Sequence, residues 1–299
     1  MELKQRKRGK MEKYIEKAKI LIEALPYIQQ FKKKIMVIKY GGSFMYDEQI
    51  KQSVMDDISL MCLVGIRPII VHGGGKDISG LLNDLDIQTE FVEGLRVTNE
   101  KVVEVAEMVL SGKINKELVQ LLQNREISAV GLSGKDGGMI KVKKKFVNDL
   151  DIGYVGEIFH IDDKILKAVL KEDFLPVIAP IGTDKTGQSF NINADHVACA
   201  IAGHLKAEKL IYLTDTDGVY MDPENQDSII HRLFTDNVPK LIDEGIISGG
   251  MIPKVESSVQ ALNEGVKSVH ILDGKVEHSL LLELFTAAGV GTMIRESIV

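Results

Sequence analysis

Apolar and polar positions follow two alternating rhythms along this chain. Short runs that are apolar almost throughout predict strands: IMVIK (35–39), PIIVH (68–72), ISAVGL (127–132), PVIAPI (176–181), KLIYLT (209–214), VHIL (269–272) and GTMI (291–294). Between them, apolar residues recur at helical spacing near 48–64, 99–123, 194–205, 253–264 and 279–288. Strands that are apolar on both faces must be covered on both, as in parallel sheets flanked by helices. The rhythm therefore predicts an α/β fold, a three-layer αβα sandwich around a mainly parallel central sheet with right-handed crossovers.

Three segments depart from the rhythm. KVKKKFVNDLDIGYVGEIFH (141–160) reads as short strands and turns, a hairpin-like excursion around Gly153 and Gly156. Its lysines at 141, 143, 144 and 145 read as a wet strand edge. GTDKTG (182–187) gathers turn formers between two ordered patterns and marks a lobe boundary. Ahead of the first strand, EKAKILIEALPYIQQFKKK (16–34) predicts a helix with Ile15, Ala18, Ile22 and Leu25 on an apolar stripe. Pro26 is expected to kink or end it, while Tyr27, Ile28 and Phe31 continue an apolar side. That side needs a partner, either its own domain or another subunit.

Composition narrows the function classes. With 299 residues, 44% hydrophobic and 27% charged, the chain has room for one large domain or two lobes of ordinary soluble character. A net charge of −6 argues against a general nucleic-acid binder but leaves a small anionic substrate open, because such a site needs only local positive charge. There is no long apolar run and no secretory signal, so a cytoplasmic protein without membrane partners is expected. The basic head, Lys4, Arg6, Lys7, Arg8 and Lys10, reads as a solvated tail. Cys62 and Cys199 lack metal-ligand spacing and read as buried thiols.

The candidate chemistry lies where strands end. IKYGGS (38–43) puts Gly41 and Gly42 after a strand, with Lys39 within reach of a phosphate. VHGGGKDI (71–78) repeats the device with Gly73, Gly74 and Gly75, and Lys76 is a secondary candidate. Neither stretch matches the Rossmann or Walker signature, so a dinucleotide loop and a P-loop are both disfavoured. In FNINADHVACAIA (190–202), Asn191 and Asn193 share one side of an extended segment, and Asp195 opens a helix as its cap or as an orienting carboxylate. SGGMIPKVESSVQAL (248–262) starts a helix at Gly250 and places Lys254 near its positive end, which a bound phosphate would make favourable. YLTDTDGVY (212–220) offers Thr214, Asp215, Asp217 and Gly218 around a nucleotide, or an ordinary turn. Two glycine loops, two lysines distant in sequence and one aspartate together suit phosphoryl transfer, which needs positive groups around the moving phosphoryl unit.

These motifs, with GLRVT (94–98), resemble the amino-acid kinase family over residues 30–299, in the branch that acts on N-acetyl-L-glutamate. The resemblance implies that Lys39 and Lys254 are catalytic, binding the transferring phosphate from the acceptor and nucleotide sides, and that Asp195 organises both. It implies that Gly73, Gly74, Gly75, Arg96, Asn191 and Asn193 hold the acceptor. Gly41, Gly42, Thr214, Asp215, Gly218, Gly250 and Lys254 are then expected at the nucleotide. The cofactor implied is ATP with Mg2+ carried on its phosphates, with no metal ligand assigned to the protein. Arg96 has an independent rationale, since its planar fork can hold a carboxylate bidentately. The long first helix and VHILDGKVEHSLLLELFTAAGVGTMI (269–294) look like the form inhibited by L-arginine, a trimer of dimers, with His270, Glu283 and Gly289 as effector contacts. The expected organisation is a tail and interlinking helix (1–33), an acceptor-binding and dimerising N-lobe (34–185), and a nucleotide- and arginine-binding C-lobe (186–299). Kinases acting on glutamate, aspartate, carbamate, uridylate or an aminoadipate derivative are the rivals within the fold, and a non-catalytic arginine or nucleotide sensor is the rival outside catalysis.

Overall fold

The computed structural model describes residues 2–222, 224–287 and 289–297, with the side chains of residues 2–10, 12, 13 and 226 left out. The basic head and the predicted helix end at Ala288 therefore fall, wholly or in part, outside the described residues. The strands are β1 (Ile35–Tyr40), β2 (Arg67–His72), β3 (Phe91–Val92), β4 (Leu95–Arg96), β5 (Ala129–Ser133), β6 (Ile140–Val147) and β7 (Leu150–Ile161). They continue with β8 (Leu175–Ala179), β9 (Ile181–Thr183), β10 (Ser189–Asn191), β11 (Lys209–Thr214), β12 (Arg232–Phe234), β13 (Ser268–Asp273) and β14 (Thr292–Arg295). The α-helices are α1 (Glu2–Phe31), α2 (Glu48–Leu63), α3 (Gly75–Asp84), α4 (Glu100–Glu107), α5 (Asn115–Gln123) and α6 (Lys164–Lys171). After these come α7 (Ala194–His204), α8 (Val238–Asp243), α9 (Met251–Asn263) and α10 (Ser279–Phe285).

Eight strands form the central sheet in the order β12-β14-β13-β11-β1-β2-β8-β5, parallel throughout except for the β13–β14 pair. Each long apolar run of the sequence is a strand of it. Alternate residues of β1 enter opposite layers: Met36, Ile38 and Tyr40 join one apolar cluster, Val37 the other. This is the three-layer αβα sandwich with a mainly parallel sheet that the pattern predicts. Lys39 takes the Val37 side, where α7 and α9 pack.

The 141–160 excursion is the antiparallel β6–β7 hairpin, which closes with β9 and β10 into a small barrel beside the main sheet. Pro180 divides the predicted strand 176–181 between β8 and β9, because it cannot donate to a continuing ladder. Of residues 182–187, the first two end β9 and the rest begin the turn to β10, which pairs antiparallel with β9 within this barrel. Gly153, at φ 80, lets β7 approach β4: a Cβ there would lie 2.1 Å from the Thr98 carbonyl oxygen. Tyr154 N donates to that oxygen at 2.6 Å and Thr98 N donates to Ile152 O at 2.9 Å, so the barrel fixes the chain just after Arg96.

Other details correct the sequence reading. Of the kink or end expected at Pro26, the end does not occur: Pro26 lies inside α1, and the carbonyl it deprives of a partner belongs to the exposed Ile22, where water can serve. The expected helix 99–123 is interrupted by a π-helical turn, Met108–Ile114, between α4 and α5. Cys199 is buried, whereas Cys62 is only half-buried. Among the described residues no helix is long and apolar enough to cross a membrane.

Candidate active site

Lys39 is the next-to-last residue of β1, and Lys254 lies in the first turn of α9. Both reach Asp195 in the first turn of α7: Lys39 Nζ is 3.1 Å from Oδ1 and Lys254 Nζ is 2.7 Å from Oδ2. The helix starts there because Asn193 caps it, its Oδ1 accepting from Asp195 N at 2.8 Å. The cap is thus Asn193, leaving the Asp195 carboxylate free for the lysines. Burial would raise the Asp195 carboxyl, but the two ammonium groups outweigh it and hold the carboxyl at about 2. The same carboxylate removes the penalty of a lysine at the positive end of α9. Lys254 Nζ also stands 4.9 Å from the centre of the Tyr212 ring, a contact the sequence reading missed.

Two glycine loops border this charge cluster. Lys39 Nζ donates to Gly41 O at 3.1 Å, and Gly73 N donates to Tyr40 O at 2.8 Å, so the loops are tied side by side. Ser43, not singled out from sequence, donates its N to both oxygens of Asp215 at 2.9 Å and its Oγ to Oδ1 at 2.5 Å. Asp215 therefore anchors the Gly41–Gly42 turn from the end of β11. Gly74 sits on the π-helical turn: a Cβ would come within 2.3 Å of Ile114 Cδ1 and 2.8 Å of Leu110 Cδ2. The long helical pattern gave no sign of that turn, since its apolar spacing is unbroken.

Gly73, Gly74, Gly75, Arg96, Asn191, Asn193 and Asp195 line one cavity of about 240 Å³. Arg96 is buried; its Nη2 donates to Gly75 O at 3.0 Å and to Ser79 Oγ at 2.7 Å, and its guanidinium stacks 4.6 Å from the Phe91 ring centre. Its Nη1 is buried without a partner, a donor a carboxylate would satisfy. Asn193, Asp195, Gly250 and Lys254 line a second cavity of about 780 Å³ that shares Gly94, Leu95, Asn193 and Asp195 with the first. Thr214, Asp215 and Gly218 line neither. Thr214 O accepts from Gly274 N at 2.8 Å, and Gly218 is packed on Thr292.

The candidate effector residues form a separate cluster. Buried His270 Nδ1 is 2.6 Å from Glu283 Oε1, and Glu283 Oε2 accepts from Val290 N at 2.8 Å. Gly289, at φ 63, lies against the same carboxylate, where a Cβ would be 2.9 Å from Oε2. Lys209 Nζ is 2.8 Å from His270 Nε2 and 5.2 Å from the ring centre of Phe31, the last residue of α1. Burial lowers the His270 pKa against the pull of Glu283.

The pattern matches the model of the amino acid kinase family over residues 34–273. The chain belongs to the amino acid kinase family. Within the family, it is 51% identical to the acetylglutamate kinase of Carboxydothermus hydrogenoformans over 292 residues, 95% of this chain and 99% of the relative. It is 52% identical to that of Campylobacter jejuni over 95% of this chain and 100% of the relative. Among solved structures, it is similar to the N-acetylglutamate synthase of Neisseria gonorrhoeae complexed with coenzyme A and N-acetyl-glutamate (TM-score 0.83, 26% identity). That match covers 94% of this family member and 64% of the synthase, so the chain spans somewhat less than two thirds of the synthase's length. The Giardia lamblia carbamate kinase bound to AMP-PNP shares the fold, with a TM-score of 0.65 at 16% identity over 89% of this chain and 99% of that one.

Proposed function

We propose that this family member transfers the γ-phosphoryl group of ATP to the side-chain carboxylate of N-acetyl-L-glutamate. The product is N-acetyl-L-glutamyl 5-phosphate, an intermediate of arginine biosynthesis. The observation that carries the reading is the convergence of Lys39 and Lys254 on Asp195, between a glycine-lined cavity with a free arginine donor and a larger cavity at the start of α9. A carboxylate oxygen attacks the γ-phosphorus, the bond from that phosphorus to the β-phosphate oxygen breaks, and ADP leaves. The acceptor is already an anion, so no proton has to be removed. Two anions must instead be brought together, and this is the work of the lysines and of the loop amides.

In this reading Arg96 Nη1, the loop amides of residues 73–75 and Asn191 hold the acceptor, with residues 34–185 as the acceptor half. Residues 186–299 form the nucleotide half, in which Gly250 and the start of α9 face the phosphates and Thr214, Asp215 and Gly218 shape the far end of the nucleotide site. Among the described residues no group of three or more His, Cys, Asp or Glu side chains is placed to hold a metal. Magnesium is expected on the ATP phosphates, where it neutralises charge on the leaving side.

L-Arginine is read as an inhibitor bound at His270, Glu283 and Gly289. Supporting this, a buried carboxylate suited to a guanidinium is linked to the end of α1 through two side chains, His270 and Lys209. A trimer of dimers linked through α1 is favoured by the exposure of Ile20, Leu21 and Ile22, at 60%, 72% and 67%, on a helix that, among the described side chains, docks on the core through Tyr27 and Phe31 at its end. The test of the kinase reading is ADP release with N-acetyl-L-glutamate, glutamate, aspartate and carbamate offered side by side. A preference for N-acetyl-L-glutamate is expected, and a preference for any of the others would overturn the named acceptor.

A further inference from the structure

Two of the four lysines in the β6 segment behave as a wet edge: Lys143 lies 3.2 Å from Glu157 and Lys144 lies 2.6 Å from Asp151, across the hairpin. Lys145 does not. The β6–β7 register breaks across it, since Lys144 pairs with Gly156 but Phe146 with Asp151. The intervening residues of β7 leave the hairpin there: Gly153 bridges to Thr98 and Val155 pairs with Asn191. A break of this kind reorients side chains. Buried residues fall at Ile140 and Val142 before it and at Val147 after it, so the in–out alternation changes phase at Lys145.

Lys145 is half-buried and stands between two cavities, one of about 830 Å³ shared with Glu157, His196 and Glu264, and the one of about 780 Å³ that contains Asp195, Gly250 and Lys254. It does not line the smaller cavity formed by Arg96 and the second glycine loop. Among the described residues no carboxylate lies within ion-pairing distance of it. The two carboxylates of the cavity shared with Lys254 are committed elsewhere: Asp195 to Lys39 and Lys254, and Glu93 to Asn148 at 2.7 Å. An unpaired cation at such a cavity favours an anionic occupant.

We propose that Lys145 is a third phosphate-binding cation of this site, contacting the polyphosphate of ATP rather than the acceptor. The assignment rests on the kinase reading above and adds to it a residue from the hairpin, so that cations from β1, β6 and α9 enclose the transferred group. Because ATP binding needs no acceptor, it is measured by titration calorimetry on the full chain and on Lys145→Ala, Lys145→Arg and Lys143→Ala, with AMP as a probe lacking the β- and γ-phosphates. Loss of one charge-assisted contact is expected to weaken ATP binding by about 10- to 100-fold in Lys145→Ala. AMP binding should be unchanged, Lys145→Arg should regain most of the loss, and Lys143→Ala should bind as the wild type does. Wild-type ATP affinity in Lys145→Ala, or equal weakening of ATP and AMP, would overturn this assignment alone. Absence of ATP binding by the unaltered chain would overturn the kinase reading and this proposal with it.

Discussion

Replacing Asp195 with Asn tests whether one carboxylate positions both lysines. Two ammonium groups now lie 3.1 and 2.7 Å from its two oxygens. Asparagine offers one carbonyl oxygen to one lysine and an N–H group to the other, so one ammonium must leave its place. Losing one preorganised donor from a transition-state site costs on the order of 10²- to 10³-fold in kcat, the expected fall for Asp195→Asn. The substitution also has a stability signature. The folded carboxyl is held at about 2 against an ordinary 3.8, an interval worth about 2 kcal/mol. Because the folded value is depressed, that contribution is present above 3.8 and is lost as the pH falls through about 2. Coupled ADP-release kinetics at neutral pH, with urea melts from pH 7 down to the acid limit, separate the two effects. The variant should be less stable than the wild type at pH 7, and the gap should close in acid. Wild-type kcat in Asp195→Asn would refute the positioning role, and a stability gap independent of pH would refute the electrostatic account.

Further expectations follow from single contacts. Gly74→Ala should destabilise the chain by about 1–3 kcal/mol and raise the acceptor KM, because Leu110 and Ile114 are too buried to make way; a wild-type denaturation midpoint would count against this packing. Arg96→Lys should raise the KM for N-acetyl-L-glutamate by about 10-fold or more while leaving the KM for ATP alone, since lysine cannot supply a planar fork. His278 is raised above its ordinary value by its hydrogen bond to Asp57, with Glu277 and Asp56 adding to the shift, while burial pushes the Asp57 carboxyl up to about 6; the charged contact is therefore present above about pH 6, where Asp57 is ionised, and is lost as the pH rises through the folded value of His278. Melting temperatures of His278→Gln should lose that dependence. Deleting residues 1–25 should yield dimers by light scattering and abolish any increase in KM or sigmoidicity caused by arginine, and a truncated chain that stays hexameric would exclude α1 as the link.

The residues that make this site differ in how far the sequence exposes them. Lys39, the glycine loops and Lys254 follow from strand ends and helix starts, and those are written in the apolar runs of β1 and β2 and in the start of α9. Their meeting at Asp195 requires β11 to lie beside β1, a pairing of segments distant in sequence that no local pattern encodes. The barrel was harder to read, because β9 and β10 are three residues each and lie next to turn formers. Asp215 illustrates a different gap: DTDG is a common turn composition, and only the approach of Ser43 shows the carboxylate acting on the other loop. Lys145 was hidden by its neighbours. Three consecutive lysines look equivalent in sequence, and the distinction among them comes from β7 leaving the hairpin to pair with Thr98 and Asn191.

That departure also bears on how the acceptor and nucleotide sides are coupled. The same residues of β7 brace Thr98, two positions after Arg96, and Asn191, four positions before Asp195. The β6–β7 hairpin thus joins Arg96, proposed above to hold the acceptor, the carboxylate between the two lysines, and a cation at the cavity of about 780 Å³. Gly153 makes this possible, since any side chain there would strike the Thr98 carbonyl. Gly153→Ala should therefore impair acceptor binding and turnover together, although the residue touches neither substrate. If it altered only thermal stability, with KM and kcat intact, the hairpin would be a prop for the fold and not a common support for the two halves of the site.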